Sequence, residues 1–415
     1  MTFADPSEAV AAAVSDLRDR ALGVAVSGGG DSVALLSLLA EQAAGYGVTL
    51  HAATVDHRLR PESTSETAMV AAHCARLGVP HSVLPWVHQH GAGNLQQAAR
   101  EARQTLLIDW ARERGIADVF LGHTADDQAE TLVMRLARGS GVQGLSGMRP
   151  RTEIGGMIWH RPLLRCTRVA LRQVLTRRGL AWVDDPSNAD LRFDRVRVRE
   201  AMPALEALGL SVSRLLDTAE NLDRAAEVVR AQVLSTASVM VRALPAGCIR
   251  IDRPGLLRAL PEVRLRLLAE ALSWVAAARH TPRLSALREV ENCLTDPPGR
   301  RTLHGCVVMI RRDSIWVVRE AARLGPSVPA GQVWDGRWST SASGPDVHVG
   351  ALGEEGIRQI ADWRAHGLPR DALAVSPAFW KGAALIAAPF ANLGKDCHVK
   401  LRSEPVNFFM GLGLR

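Results

Sequence analysis

Lysine is almost missing from this chain. Only Lys381, Lys395 and Lys400 stand among its fifty basic side chains. A phosphate loop of the Gly-Lys-Ser/Thr kind, which sets a lysine on the outer phosphates, is therefore excluded from the first 380 residues. Paired cysteines are missing too. Cys74, Cys166, Cys248, Cys293, Cys306 and Cys397 form no C-x-x-C and no zinc-ligand spacing, so they read as isolated reduced thiols of a cytosolic protein. No run reaches the ~20 apolar residues that span a membrane. Residues 1–20 carry Asp5, Glu8, Asp16 and Asp19 and lack a basic start before an apolar core, which excludes a secretory signal.

What is present is arginine. It supplies nearly all the positive charge behind a net +7, and its planar fork matches phosphate geometry better than lysine does. An acidic partner is implied, and nucleic acid is the natural one. An arginine-rich genome would have the same overall effect, so clustering must decide. The 415 residues suffice for two or three domains, with an apolar content of 47% that is ordinary for a globular protein.

The chain is organised around Ser27-Gly28-Gly29-Gly30-Asp31-Ser32. An apolar run, 22–26, precedes it and another, 33–40, follows: strand, glycine turn, helix. Without Cβ atoms the turn lets an anion approach the backbone, and the helix N-terminus aims its N–H groups at the same place. Asp31 would repel phosphate unless a Mg²⁺ were shared between them. The dinucleotide fingerprint fails because Val33 replaces its third glycine. What remains resembles the S-G-G-x-D-S pyrophosphatase loop of enzymes that split ATP into AMP and pyrophosphate.

Apolar periodicity predicts a helix over 7–20, strands over 48–55, 81–87 and 118–122, and helices over 64–77, 94–114 and 125–138. This alternation predicts an α/β fold with a doubly wound parallel sheet. Ser27–Ser32, Asp56-His57 and His123 then follow strand ends and converge on one crevice. The run Gly122-His123-Thr124-Ala125-Asp126-Asp127-Gln128-Ala129-Glu130-Thr131 opens a helix. Acids there suit the helix dipole, but three carboxylates and a histidine beside a phosphate cradle point to chemistry. The segment 138–148 is too glycine-rich for a helix. Residues 149–200 hold twelve arginines against six acids, the clustering that composition alone did not promise. A helix is predicted over 168–178 and a turn-rich stretch over 182–188, and Phe193–Arg199 alternates basic and apolar residues on a helix or a strand. Arg195, Arg197 and Arg199 are candidates for phosphate contacts.

Further along, helices are predicted over 211–240, 262–278 and 284–294, and a hairpin over 307–318. A Pro/Gly break near 325–329 opens a last module with Trp334, Trp338, Trp363 and Trp380, which are expected to serve mostly in core packing. The expected division is an ATP-binding catalytic domain over 1–205, a mostly helical domain over 206–324 and a small α+β module over 325–415.

In order, Ser27–Ser32, His123–Thr131 with Arg138-Gly139-Ser140-Gly141, Arg161-Pro162-Leu163-Leu164 and Trp182–Arg199 resemble the bacterial tRNA(Ile)-lysidine synthase family, in its long form with two C-terminal modules. Two positions depart from the family pattern. Thr124 replaces a second histidine, and Val196 replaces an asparagine that follows Arg195.

The resemblance implies an adenine-nucleotide α-hydrolase-like sheet and a cytoplasmic ligase that uses ATP and Mg²⁺. It would adenylate the C2 oxygen of the wobble cytidine in a CAU-anticodon tRNA(Ile). The amine of free L-lysine would then displace AMP, pyrophosphate having left in the first step. Ser27, Gly28, Gly29, Gly30, Asp31 and Ser32 would bind ATP. Asp31, with Asp127 or Asp126, would hold the metal, Asp127 being preferred. Asp31, Asp127, Glu130 and Arg103 would be catalytic, Glu130 by placing the cytidine or taking a proton from the amine, and Arg103 in preference to Arg100. His123, Asp126, Arg195, Arg197 and Arg199 would contact the tRNA and other substrate groups, and the C-terminal modules would grip its backbone. The alternatives are another pyrophosphatase-loop enzyme acting on tRNA and a non-catalytic module binding ATP or tRNA. A thiolase would need a sulfur-carrying cysteine pair, and an amidotransferase a glutaminase domain for which there is no room before Ser27. A passive binder would gain nothing from the acids at 126–130.

Overall fold

A computed structural model describes residues 3–57, 63–86, 95–183, 192–278, 280–342, 346–394 and 397–414. The sequence features at 58–61, Asn94 and 184–188 lie outside these residues. The chain divides into two compact units, 1–226 and 227–415.

Among the described residues the first unit is built on six strands: β1 (Ala21–Ala25), β2 (Thr49–Asp56), β3 (His81–Pro85), β4 (Asp118–Phe120), β5 (Arg151–Ile154) and β6 (Met157–His160). Their order is β3-β2-β1-β4-β6-β5, all parallel except β5, which pairs antiparallel with β6. Helices cover both faces, as a doubly wound sheet requires. Among the described residues the helices of this unit are α1 (Pro6–Val14), α2 (Gly30–Gly45), α3 (Ser63–Leu77), α4 (Leu95–Glu113), α5 (Ala125–Ala137), α6 (Val142–Leu145), α7 (Arg168–Arg177), α8 (Asp194–Ala207) and α9 (Val212–Met240), the last running on into the second unit.

The period-two alternation of β1 divides the core. Leu22, Val24 and Val26 pack with α1, α2, α3 and α7 through residues such as Val10, Leu36, Val70 and Leu175. Ala25 faces the other way, with Leu107, Trp110 and Ala111 of α4. Gly23 makes room there: a Cβ on it would lie 2.8 Å from the Trp110 ring.

Three local expectations change. The first helix ends at Val14 rather than near residue 20, because Ser15 turns its hydroxyl back onto the Ala12 carbonyl and Asp19 takes a left-handed φ of 57° on the way into β1. The glycine-rich segment after α5 contains one short helical turn, α6. It is held by Arg135, whose guanidinium donates to the Gly144 and Gly147 carbonyls, and by Gln128, bonded to the backbone of Met148. The β5–β6 hairpin was not expected at all. Its strands are four residues each, and Gly155 and Gly156 between them both take positive φ.

The second unit has a five-stranded antiparallel sheet, larger than the single hairpin expected over 307–318. Its strands are β7 (Val241–Ala243), β8 (Ile249–Asp252), β9 (Gly299–Leu303), β10 (Cys306–Ile310) and β11 (Ser314–Arg319). Two smaller sheets follow. Trp334 and Trp338 are fully buried in a separate core with Phe379 and Val349, so they pack rather than stack on a ligand.

Candidate active site

The strand order reverses between β1 and β4, so the segments leaving those two strands flank the crevice where such sheets hold ligands. After β1 the backbone turns at Gly28, with φ of 88°, and Gly29 caps α2 without any side-chain help. The turn is braced from within. Ser32 Oγ donates to the Gly29 carbonyl at 2.9 Å and accepts the Ser27 N–H at 3.1 Å, and the two serine hydroxyls lie 3.2 Å apart. The Ser32 and Val33 N–H groups bond back to the Gly29 carbonyl. The N–H groups ahead of them, at the start of α2, have no intrahelical acceptor and suit an anion. Val183 closes the far side by donating to the Gly28 carbonyl at 3.0 Å.

The segment leaving β4 comes against this turn at Gly122. It then enters α5 through Thr124, whose hydroxyl accepts the Asp127 N–H while Asp127 Oδ2 accepts the Thr124 N–H at 2.8 Å and its hydroxyl at 3.0 Å. This reciprocal cap explains the departure at position 124: the residue there works as a helix cap. It also fixes the Asp127 carboxylate, leaving Oδ1 to face the crevice.

A residue that the sequence reading passed over joins the acids. Arg168, at the first position of α7, places Nε 3.3 Å from Asp31 Oδ2, Nη2 3.1 Å from Asp127 Oδ1 and Nη1 3.4 Å from Glu130 Oε1. Its backbone N–H donates to Asp126 Oδ2 at 2.7 Å, which ties the start of α7 to the start of α5. A sequence signal did exist: a cation at a helix N-terminus opposes the dipole and needs an acidic partner.

Glu130 is only 2% exposed and meets two more arginines, Arg199 Nε at 2.9 Å and Arg195 Nε at 3.1 Å. Arg197 does not join them; it is exposed and pairs with Asp194. The helical form of 194–207 is the reason. Positions 195 and 199 share a face and 197 does not. Val196 is buried instead of offering a polar contact.

Burial raises the Asp31 carboxyl to about 6, and the neighbouring Asp127 and Asp126 charges add to this against Arg168. Burial acts the same way on Asp127, but the Arg195 and Arg168 charges and the Thr124 N–H overcome it and hold Asp127 below the usual carboxylate range. Burial lowers His123 to about 4, with Arg161, Arg103 and Arg195 adding to it against Asp127, so its ring is neutral at pH 7. Its Nδ1 is buried with no partner among the described residues, and the same holds for His57 Nδ1. Burial and then the Arg103 charge lower the pKa of His57, and Arg103 is among the charges that lower His123. Arg103's own pKa is lowered by burial and then by Arg100.

The crevice thus combines an amide cradle, a pair of unlike carboxylates, a neutral imidazole and a fan of arginines. The PP-loop domain family matches residues 5–205. A relative from Ruegeria pomeroyi named tRNA(Ile)-lysidine synthase is 43% identical over 398 residues, covering 95% of this chain and 94% of its own. One of the same name from Brucella canis is 34% identical over 408 residues, 90% and 86% of the two chains. One from Methylobacterium nodulans is 43% identical over 271 residues, 64% and 79% of the two chains. With similarity of this extent reaching well beyond the PP-loop domain itself, the chain belongs to the tRNA(Ile)-lysidine synthase family.

Proposed function

We propose that the protein uses ATP to join free L-lysine to C2 of the wobble cytidine in a CAU-anticodon tRNA(Ile), through an adenylated cytidine, with release of pyrophosphate and then AMP. One observation carries the reading at the level of chemistry. A lysine-free amide turn and the Asp31/Asp127 pair meet at the switch point of the sheet. That arrangement suits grip on the outer phosphates and transfer of the innermost one.

In this reading the N–H groups at the start of α2 accept the charge that builds on departing pyrophosphate. Asp31 and Asp127 offer hard oxygen donors close enough for one guanidinium to bond both, a fit for Mg²⁺. Among the described residues no three His, Cys, Asp or Glu side chains form a complete cage. Such an ion would draw its remaining ligands from phosphate oxygens and water. When bound, it would neutralise the phosphates and favour pyrophosphate as leaving group.

Glu130, saturated by Arg168, Arg195 and Arg199, holds these arginines toward the crevice. His123, neutral and with an unpartnered Nδ1, accepts a hydrogen bond from the amine or the base. Arg103 contributes a charge toward the same substrate groups, and Asp126 positions α7. Arg197, on the outer face of α8, takes a tRNA phosphate. The 206–324 and 325–415 regions grip the rest of the tRNA, whose unpaired anticodon bases enter the crevice at small cost. Among the described residues no helix is long and apolar enough to cross a membrane. The reaction is placed in the cytoplasm, where tRNA and free lysine meet.

The test is incubation with ATP, Mg²⁺, lysine and CAU-anticodon tRNA(Ile), then mass analysis of the nucleosides. A cytidine heavier by a lysyl group is expected, with AMP as the nucleotide product. An unchanged nucleoside profile from folded, ATP-binding protein, or ADP as product, would sink the reading.

A further inference from the structure

We infer that Arg168 is a built-in counter-ion that keeps the Asp31/Asp127 pair closed to a divalent cation until nucleotide arrives, so that metal enters with the triphosphate and not ahead of it. The inference rests on the ATP reading above and adds an order of events to it.

The geometry is that of a placeholder. The three guanidinium nitrogens go to three different carboxylates, Asp31, Asp127 and Glu130, at 3.1–3.4 Å. The pair already faces an internal cation, which it shares with Glu130. A metal arriving alone would have to displace that cation and would find no complete cage behind it among the described residues. A metal arriving on ATP brings phosphate oxygens as its missing ligands. It also brings the displaced guanidinium a new acceptor, since Arg forks bind phosphate in bidentate fashion.

The local structure lets the side chain move while the backbone stays. Thr167 caps α7 by accepting the Ala170 N–H, and Asp126 holds the Arg168 N–H at 2.7 Å. Only the rotatable part of Arg168 needs to leave the carboxylates, and at 20% exposure it borders the open crevice. Nothing about α7 itself favours this residue at its first position, where the helix dipole opposes a cation. The carboxylates account for its place.

The experiment titrates the full chain with Mn²⁺ and reads the free ion by electron paramagnetic resonance, with and without α,β-methylene-ATP. The parent should take up Mn²⁺ on the order of tenfold more tightly with the analogue than without. The R168Q variant should bind Mn²⁺ without nucleotide on the order of tenfold more tightly than the parent, because a unit positive charge no longer faces the site. Circular dichroism confirms that the variant is folded; if it is not, R168K takes its place, with a smaller gain expected from a single point charge that cannot span three carboxylates. The inference is overturned if the nucleotide-free parent binds Mn²⁺ as tightly as with the analogue, or if a folded variant gains nothing. No uptake by the parent even with the analogue would strike at the ATP reading itself and remove this inference with it.

Discussion

Gly122 stands directly against the backbone of Asp31. A methyl group on Gly122 would lie 2.9 Å from the Asp31 carbonyl oxygen and 3.1 Å from the Ser32 Cα. Both obstacles are main chain, so no flexible side-chain end can yield. The G122A variant should push the β4 exit away from the start of α2, at a cost of about 1–3 kcal/mol of stability. The larger effect should fall on the site, because the cradle and Asp127 are held in register through this contact. Calorimetric ATP affinity should drop on the order of tenfold. Unchanged affinity in a folded variant would mean that the two segments act independently.

Thr124 and Asp127 cap α5 reciprocally, and the hydroxyl is the part that matters. The T124A variant should lose about 1 kcal/mol by urea denaturation, the usual value of an N-cap oxygen. The T124S variant should recover most of it. Asp127 Oδ2 would also lose its 3.0 Å donor, so T124A should weaken ATP binding while T124S does not. Equal behaviour of the two variants would show that the side chain serves something other than the cap.

Arg197 and Arg199 look alike in sequence but differ in the structure. Arg199 reaches a carboxylate that is 2% exposed; removing it leaves Glu130 short of a charge partner in a buried place. The R199A variant should therefore lose about 1–3 kcal/mol, less than a fully broken buried pair because Arg168 and Arg195 remain. The R197A variant should stay within about 0.5 kcal/mol of the parent. Its effect should appear in tRNA binding, as a salt dependence shallower by about one counterion. Thermal melts beside filter binding at several salt concentrations separate the two.

These contrasts mark what the sequence could and could not say. The doubly wound sheet and the crevice were legible because strand and helix periodicities alternate and the glycine turn falls between them. The acids of α5 were legible for the same reason. Arg168 was not, because its partners are 38 to 137 residues away and one arginine among twelve carries no local mark except its place at a helix start. The alternation over 193–199 suited a strand as well as a helix, and only the helix separates Arg197 from Arg195 and Arg199. The β5–β6 hairpin escaped because four-residue strands give too short a pattern.

Away from the crevice, Asp118 predicts the acid limb of stability. It is fully buried at the first position of β4, with Oδ1 2.7 Å from His160 Nε2 and Oδ2 3.2 Å from Arg20 Nη1. Burial alone would raise its pKa, but the hydrogen bonds and charges of His160 and Arg20 outweigh it and hold Asp118 below its ordinary 3.8. A carboxyl lowered on folding binds protons less well in the native state. Its stabilising effect is complete above 3.8 and fades as the pH falls through the lower folded value. Asp31 has the opposite sign, since its pKa rises to about 6 on folding. It favours the native state at low pH, and that advantage fades as the pH climbs from 3.8 to about 6. Urea titrations of the nucleotide-free chain across pH 3–7 should therefore show opposite changes. The D118N variant should show a shallower acid-end decline than the parent, Asp127 and His123 supplying the remainder, and D31N should gain stability relative to the parent as the pH climbs from 3.8 to about 6, a difference in which the opposing His123 contribution cancels, while its ATP affinity falls. Parallel pH curves for the parent and both variants would mean that neither carboxyl titrates differently on folding.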